Sequence, residues 1–373
     1  MLGRSFRIGR IFSISIEIDF SWLIIFFLVA WSLTKGYFPY NYPGMPVRQY
    51  WIMGVAASFL LFLSVLLHEL SHSFVAIKKK IPIEKITLFI FGGVANISEE
   101  PKKPGTEFII AAAGPLCSYF LMFIFWLISR ILEPGSAPYA VVRYVYFING
   151  LLATFNLIPG FPLDGGRLLR STLWRITGNL KKSTLIASNV GKGFAVFLIV
   201  YGVLNIMGGS LLSGIWLVII GLFLKSAAHH SYENLVISTF LSDQTVDKIM
   251  SRNVVSVASD ISVADLIDNY FLRYHFDSFP VISEGRTVGV VNMTDVKKVP
   301  RDKWPSISVE EIMQKDVSSL IIAPEDGIET ALQKMAGENK GWLLVVDTEG
   351  SNVGVLTRSD IMHLLKVKGY LDE

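Results

Sequence analysis

Long stretches without a charged residue recur through the first 230 residues of the chain. A helix of about 20 apolar residues crosses the hydrocarbon core of a bilayer, so these stretches predict membrane-spanning helices. The uncharged stretch over residues 193–224 contains Gly208, Gly209 and Ser210 near its middle, which predicts a turn between two helices. The pattern therefore predicts six spans, at residues 20–33, 51–67, 108–129 and 144–163 and in a hairpin of two spans that begins at about residue 187 and ends near residue 228.

Two segments at the depth of these spans have patterns that do not fit a helix. Residues 86–97 are β-rich and contain Gly92 and Gly93, which predicts a β-hairpin at the cytosolic face. Residues 156–166 contain two prolines and three glycines at the end of the fourth span. Irregular backbone lies at membrane depth only where protein or a water-filled cavity satisfies its polar groups. We therefore expect a cavity near Asp164.

An internal repeat begins after residue 242. Residues 245–250 recur as 308–313, and residues 288–296 recur as 353–361. Each repeat has the pattern of a helix, an apolar strand, a second strand and a closing helix, and two such units can bury each other's sheets. The predicted fold is a polytopic α-helical membrane protein followed by a soluble α/β pair. The predicted domains are residues 1–232, a linker over 233–244, and the repeats 245–300 and 301–373.

The composition excludes a purely soluble globular protein. Hydrophobic residues make up 51% of the 373 residues, charged residues make up only 17%, and the mean hydropathy is +0.48. Too few polar side chains are present to cover a water-facing surface of this size. The single cysteine, Cys117, also excludes a framework of disulfide bonds within the chain.

The charges divide the chain at nearly the same point as the repeat. Residues 1–240 have 20 basic and 10 acidic side chains, whereas residues 241–373 have 14 basic and 21 acidic ones. Basic residues precede the first span and follow the second and fourth, so both termini and the soluble half are expected in the cytosol. The acidic soluble half gives no support to nucleic-acid binding. We therefore expect a multi-pass protein of the cell membrane.

Residues 68–72 read His-Glu-Leu-Ser-His, a HExxH motif that continues the second span. On a helix His68 and His72 lie on one face, so both imidazoles can bind one metal ion while Glu69 stays close to its water. Zinc suits such a site, because it activates water at neutral pH and polarises a carbonyl group. The motif also occurs by chance on solvent-exposed helices, but ionisable groups within a membrane span indicate function. We therefore expect Glu69 to act as a general acid and base.

A third metal ligand must come from elsewhere in the chain. Asp164 is the only acidic residue between Glu133 and Glu233, and it lies where the cavity is expected. A carboxylate there can complete a zinc site with the two histidines. It can also be a turn residue that pairs with Arg167, although the HExxH motif favours the ligand.

Four segments together resemble the site-2 protease family of intramembrane zinc metalloproteases. They are HELSH at 68–72, FGGVANI at 91–97, AAAGPLCSYF at 111–120 and FNLIPGFPLDGGR at 155–167, in the order found in the family. The resemblance implies that His68, His72 and Asp164 bind one zinc ion and that Glu69 is catalytic. It also implies an enzyme of regulated intramembrane proteolysis, which hydrolyses peptide bonds within or near transmembrane segments of membrane-anchored proteins.

The same resemblance assigns further residues to the substrate. Asn156 matches a family asparagine that contacts the substrate or the transition state, although its type equally suits a polar group that ends a helix. Gly92 and Gly93 belong to a segment that resembles the family's edge strand, onto which an unwound substrate can add. Ser118 departs from the family pattern, in which an asparagine is common at this position.

The two repeats resemble a tandem pair of CBS domains, a family that senses adenine nucleotides between its paired units. Thr357 and Asp360 match the family's T-x-x-D motif in the second repeat, whereas the first repeat has Asn292 in place of the threonine and keeps Asp295. The resemblance implies an adenine nucleotide as a regulatory ligand and allows a homodimer formed through the pair. Both aspartates also suit the first turn of a helix, where a carboxylate caps free N–H groups.

Two other classes of protein are compatible with these features. A CBS-regulated channel or transporter would use the histidines to line an ion path, and an inactive relative would serve only as a membrane-bound nucleotide sensor. Glu69 and the distant Asp164 favour the protease, because a pore requires neither a general base nor a third ligand. The expected partners are a transmembrane protein substrate and the lipid bilayer.

Overall fold

The computed structural model describes residues 5–11, 14–90, 92–97, 101–242, 244–274, 276–284, 286–338, 340–348 and 350–372. The chain consists of two compact units, Met1–Glu233 and Asn234–Glu373. The division falls within one continuous helix, Leu211–Ser242, so residues 233–242 of the expected linker are helical.

Within the described residues, eight helices form the first unit or lead out of it. Asp19 caps the first helix, where its Oδ1 accepts a hydrogen bond from the backbone N–H of Ser21 at 2.9 Å. Gly178 ends the sixth in the left-handed region at φ 68°, which a residue without Cβ adopts easily, and Asn179 caps the seventh. A π-helical turn over Leu33–Tyr37 joins the first two helices. The helices are α1 Phe20–Ser32, α2 Phe38–Asn41, α3 Val47–Lys78, α4 Pro104–Ile131, α5 Ala137–Asn156, α6 Asp164–Thr177, α7 Leu180–Met207 and α8 Leu211–Ser242.

Five helical segments of the described chain are long and apolar enough to cross a membrane, where the sequence predicted six. The predicted fourth span, residues 144–163, corresponds to α5, which ends already at Asn156. Polar residues such as Arg143 and Asn149 interrupt α5, and it is not among the five. The five segments are Phe20–Asn41, Val47–Lys78, Pro104–Ile131, Leu180–Met207 and Leu211–Ser242.

Helices α7 and α8 form the predicted hairpin over residues 193–224, with its turn between Met207 and Leu211. Their outward faces are apolar: Phe197 is 59% exposed and Leu212 is 85% exposed. A water-facing helix would place polar side chains on such a face, whereas lipid requires apolar ones. The first unit therefore has the surface of a membrane domain.

A four-stranded sheet, in the order β1-β2-β3-β4, belongs to the first unit. The two central strands are parallel, and the outer pairs are antiparallel. The predicted hairpin over residues 86–97 is formed by β3 and β4, and Phe91 at its turn lies outside the described residues. Ile14 and Ile86 pack in one buried cluster with Ile110 of α4. The strands are β1 Ser5–Ile11, β2 Ile14–Asp19, β3 Ile83–Phe89 and β4 Gly92–Ile97.

The described residues of the second unit form two three-stranded sheets, one for each repeat, in the orders β5-β6-β7 and β10-β9-β8. Its strands are β5 Val257–Ala258, β6 Ser278–Ser283, β7 Arg286–Asn292, β8 Ile321–Ile322, β9 Trp342–Val346 and β10 Asn352–Thr357. Its helices are α9 Val263–Leu266, α10 Leu272–Tyr274, α11 Met293–Val296, α12 Val309–Ile312, α13 Ile328–Gly337 and α14 Arg358–Asp372.

The first segment of each repeat packs against the sheet of the other repeat. A Cβ atom at Gly354 would lie 2.6 Å from Sδ of Met250, and one at Gly289 would lie 2.7 Å from Sδ of Met313. Backbone pairing follows the same exchange, since Ser251 pairs with Val355. The two repeats therefore depend on each other for a complete core.

Candidate active site

Helix α3 places the HExxH motif in the interior of the first unit. His68 and His72 lie one turn apart on the same face and are only 3% and 6% exposed. Their Nε2 atoms are 3.3 Å apart. The helix continues to Lys78, ten residues beyond His68, which is roughly 15 Å along its axis. The two imidazoles therefore lie well inside a membrane-spanning segment.

Asp164, the first residue of α6, meets both histidines. Its Oδ2 lies 3.0 Å from Nε2 of His68 and 3.2 Å from Nε2 of His72. One ligand atom of each of these three residues lies within 4.8 Å of the others, and the described residues contain no other such group. The alternative ion pair between Asp164 and Arg167 is not formed, because the carboxylate is turned toward the imidazoles.

The second nitrogen of each imidazole is also held. Nδ1 of His72 lies 2.7 Å from the carbonyl oxygen of Ile110, which can only accept, so Nδ1 is the donor and a neutral His72 would have its lone pair at Nε2. Nδ1 of His68 lies 2.9 Å from the Oγ atom of Ser118, which can accept in the same way. Such outer partners are typical of histidines that bind a metal. Two imidazoles and one carboxylate are also a donor set that zinc prefers.

Two glycines provide the space that this arrangement requires. A Cβ atom at Gly114 would lie 2.2 Å from Nε2 of His72 and 2.5 Å from Nε2 of His68, where a metal ion would have to bind. A Cβ atom at Gly93 would lie 2.5 Å from Cγ of Glu69. The donor atoms and the space beside them therefore fit a zinc ion.

A cavity of about 540 Å³ opens beside the three residues. Its walls come from α3, the β3–β4 hairpin, the segment between α5 and α6, and α8. Most of the wall is apolar, so water in this cavity contacts few polar groups besides those of the site. The predicted functional residues in its lining are Glu69, Gly92, Gly93 and Asn156, together with the three metal-ligand candidates.

The motif residues of the second unit are engaged in helix capping. The backbone N–H and the hydroxyl of Thr357 donate to Oδ2 of Asp360 at 2.8 and 2.7 Å, and the N–H of Asp360 donates back to the Thr357 hydroxyl. Asn292 and Asp295 form the equivalent capping box at the start of α11. The capping interpretation of these residues is thus realised, and nucleotide binding by them stays a prediction.

The model of peptidase family M50 matches residues 56–135 and 134–200, and the CBS-domain model matches residues 246–302 and 309–367. Over 367 residues the chain is 32% identical to a Synechocystis sp. protein with the provisional name zinc metalloprotease sll0528, covering 98% of this chain and 96% of that protein. The chain belongs to the M50 family. This M50 protein is also 29% identical over 367 residues to zinc metalloprotease MJ0392 of Methanocaldococcus jannaschii, with 98% and 97% of the two chains covered. The solved site-2 protease of the same organism shares 33% identity, over 61% of this chain and 95% of that one, with a TM-score of 0.46.

Family membership confirms the resemblance that the four sequence segments and the repeats indicated. The protein is a multi-pass membrane member of the M50 zinc metalloproteases with two C-terminal CBS domains. The family implies zinc, and His68, His72 and Asp164 are the described residues that could hold it.

The contribution of α4 to this M50 site was not predicted from the sequence. Ile110, Gly114 and Ser118 follow each other at intervals of four residues, so they form one stripe of α4 that faces the two histidines of α3. The spacing is visible in the sequence, within and just before the segment AAAGPLCSYF. This spacing alone does not predict a site, because Ile110 contributes only a backbone carbonyl and Gly114 contributes only the absence of a side chain.

Proposed function

We propose that this protein is an intramembrane zinc metalloprotease that hydrolyses peptide bonds within or near transmembrane segments of membrane-anchored substrates. The observation that carries the proposal is the convergence of His68, His72 and Asp164 beside a cavity that Glu69 also lines. Two imidazoles and a carboxylate would supply three protein ligands, the number found in catalytic rather than structural zinc sites.

Zinc bound by His68, His72 and Asp164 would supply a Lewis acid and lower the pKa of water in the cavity. Glu69 would take a proton from the attacking water at a carboxylate oxygen and deliver it to the leaving nitrogen of the scissile bond. Asn156 would hold the substrate or the transition state through its amide. The chain itself holds the imidazoles in place through the Ile110 carbonyl and the Ser118 hydroxyl.

The substrate must unwind before one of its carbonyl groups can reach the site, because a transmembrane helix uses all its backbone groups internally. Strand β4 lies at the edge of its sheet and lines the cavity through Gly92 and Gly93. An edge strand offers free backbone groups to a segment that has left its helix. The substrate would therefore add to β4 and pass Glu69 in an extended conformation.

The decisive experiment compares the wild-type protein with Glu69→Gln in proteoliposomes that contain a single-span substrate. The variant should keep one zinc ion per chain and lose cleavage, because the amide can no longer take the proton from water. Glu133→Gln, at an exposed position between α4 and α5, is the control and should cleave normally. Undiminished cleavage by Glu69→Gln would contradict the mechanism, and ion flux without cleavage would favour a channel.

We further propose that both termini and the CBS pair lie in the cytosol and that the chain divides into a protease domain, a short linker and two CBS domains. The basic residues at the ends of the helices support this orientation, since positive charges are retained on the cytosolic side. Protease digestion of inverted vesicles should remove the second unit, whereas sealed right-side-out vesicles should protect it.

The CBS pair would regulate the protease by binding an adenine nucleotide or by forming a homodimer. Thr357, Asp360 and Asp295 are the residues proposed to meet the nucleotide. Calorimetry on the full-length protein should detect binding of ATP, ADP or AMP, and the cleavage rate should change in the presence of the nucleotide that binds. Absence of binding for all three would leave dimerisation, which sedimentation tests directly.

A further inference from the structure

Arg167 lines the active-site cavity, and its side chain forms no hydrogen bond or ion pair with any described residue. It lies on α6, one turn after Asp164, and belongs to the cavity wall that also includes Glu69. Among the described residues its guanidinium group forms no hydrogen bond and no ion pair, since Asp164 is engaged by the two histidines. An arginine cannot lose its proton in a protein, so the positive charge persists in the cavity.

The next arginine of the same helix, by contrast, has partners on two sides. Arg170 is 6% exposed, and its Nε donates to Oε1 of Glu107 at 2.6 Å, with a second contact from a terminal nitrogen to the same oxygen. Its guanidinium group also lies over the ring of Phe161, 5.1 Å from the ring centroid. The fold therefore pairs Arg170 with a carboxylate and leaves Arg167 in the cavity wall without an ion pair.

The net charge expected with zinc bound indicates a function for the unpaired Arg167. Asp164 and Glu69 balance the two positive charges of a zinc ion, and the histidines are neutral when they bind it. Arg167 then leaves one net positive charge in a cavity with largely apolar walls. An unpaired charge in such surroundings is costly, so an anionic group of a ligand would be favoured there. A guanidinium group binds two oxygens of a carboxylate side by side and also stabilises a single oxygen anion.

We propose that Arg167 binds an anionic oxygen of the substrate. This oxygen is either the carbonyl oxygen of the scissile bond, which gains negative charge as water adds, or a carboxylate of a neighbouring acidic side chain. The inference rests on the proposed protease function and adds to it a residue that recognises negative charge. It also predicts which of two substrates that differ by one charge is processed faster.

The test uses the full-length, zinc-loaded protein in proteoliposomes and two single-span substrates, one with Glu and one with Gln beside the scissile bond. Arg167→Gln should lower kcat about 100-fold on both substrates if the developing oxyanion is bound, as for removal of one oxyanion-hole donor. It should instead raise KM about 10-fold on the Glu substrate alone if the carboxylate is bound. Arg175→Gln, at the exposed end of α6, is the matched control and should not change either constant.

Two further measurements separate recognition from folding. Arg167→Lys should recover part of the lost activity, and guanidinium ion added to Arg167→Ala should restore activity in a saturable manner. In the Glu69→Gln background, binding of the Glu and Gln substrates reports on the carboxylate without turnover. The zinc content of every variant should equal that of the wild type.

The proposal is overturned if Arg167→Gln processes both substrates within about 3-fold of the wild type, a range too small for a lost charge-assisted contact. It is also overturned if neither lysine nor guanidinium ion restores activity and the zinc content falls, which would assign Arg167 to folding. Both outcomes leave the protease function intact as long as the wild type cleaves and Glu69→Gln does not.

Discussion

An aspartate near the start of a helix serves opposite purposes in the two units of this protein. Asp360 turns back onto Thr357 and satisfies the first turn of its own helix α14. Asp164 begins α6 but turns away from it, toward two imidazoles more than 90 residues earlier in the chain. The cap at Asp360 needs only neighbours in sequence, and among the described residues its carboxylate accepts one distant hydrogen bond, from the Ser251 hydroxyl to Oδ1 at 3.3 Å. The arrangement at Asp164 needs two helices to be packed correctly. A carboxylate that gives up its local partners for distant ones is therefore the better marker of a site.

The largest effect is expected from Gly114→Ala, because Gly114 packs directly against the imidazoles of His68 and His72. The added Cβ atom would lie 2.2 Å from Nε2 of His72, so the imidazoles must move apart and zinc binding should be lost together with cleavage. Gly105→Ala on the same helix has no neighbouring atom within 4 Å and should keep both. Metal analysis of the two purified variants decides this, and normal zinc content in Gly114→Ala would disprove the packing argument.

A smaller effect on the same site is expected from Ser118→Ala. The substitution removes the partner of His68 Nδ1 while leaving all three ligands, so zinc affinity should fall about 10- to 100-fold. Ser129→Ala, where the hydroxyl only bonds the carbonyl of Trp126 in its own helix, is the control. Competition with a metal-binding dye gives the affinities, and equal values for the two variants would remove Ser118 from the site.

In the second unit, loss of the cap at Thr357 should disturb only the structure near it. Thr357→Ala removes the cap of α14, which should cost about 1 kcal/mol of the stability of this unit and leave zinc affinity unchanged. Hydrogen exchange on the full-length protein should show faster exchange of amides in the second repeat. Ser359→Ala, an exposed neighbour in the same turn, provides the reference. Faster exchange in the zinc site of Thr357→Ala would contradict the contrast between the two units.

The smallest effect concerns Glu17 of β2, which lies near the surface of the first unit. The hydroxyl of Ser5 at 2.7 Å and Nζ of Lys85 at 2.9 Å hold the pKa of this carboxyl below its ordinary value of 4.5. A lowered pKa contributes stability above pH 4.5, and that contribution is lost as the pH falls through the folded value. Glu17→Gln should therefore be less stable than the wild type at pH 7, by about 1 kcal/mol or less.

The pH dependence is the informative part of the comparison at Glu17. Thermal unfolding temperatures of the wild type and Glu17→Gln should converge as the pH falls below 4.5 and then through the lowered pKa of the folded protein, where the carboxylate becomes protonated in both folded and unfolded chains. A difference that stays constant over this range would mean that Glu17 acts through packing and not through its charge.

The convergence of His68, His72 and Asp164 could be predicted from the sequence, because HExxH on a helix fixes the separation of two imidazoles. Asp164 followed from the scarcity of acidic residues in the apolar half. The supporting residues could not be predicted, since the Ile110 carbonyl has no signature in the sequence and Gly114 acts through an absent atom. The fourth predicted span is not among the five long apolar segments for a related reason: a run without charges ignores the asparagines of α5.

In the repeats, the strands and helices could be predicted from the sequence, but the exchange of their first segments could not. Each strand and helix follows from a short local pattern, and these patterns recur at the predicted positions. The exchange of the first segments, with Met250 on Gly354 and Met313 on Gly289, depends on how the two halves dock. Because docking is set by shapes that form only after folding, the sequence shows which segments repeat and not which half each one completes.

The hydrogen-bond partners of the two imidazoles differ in whether a single substitution can remove them. The support of His72 is a backbone oxygen, which every residue type at position 110 would supply, so no single substitution deletes it. The support of His68 is the hydroxyl of Ser118, which one substitution removes or replaces. Mutations at position 118 can therefore change how strongly the site retains a metal ion in small steps. The position of His72, in contrast, stays fixed by the path of the backbone at residue 110. Relatives that live with scarce or abundant zinc are best compared at this one position.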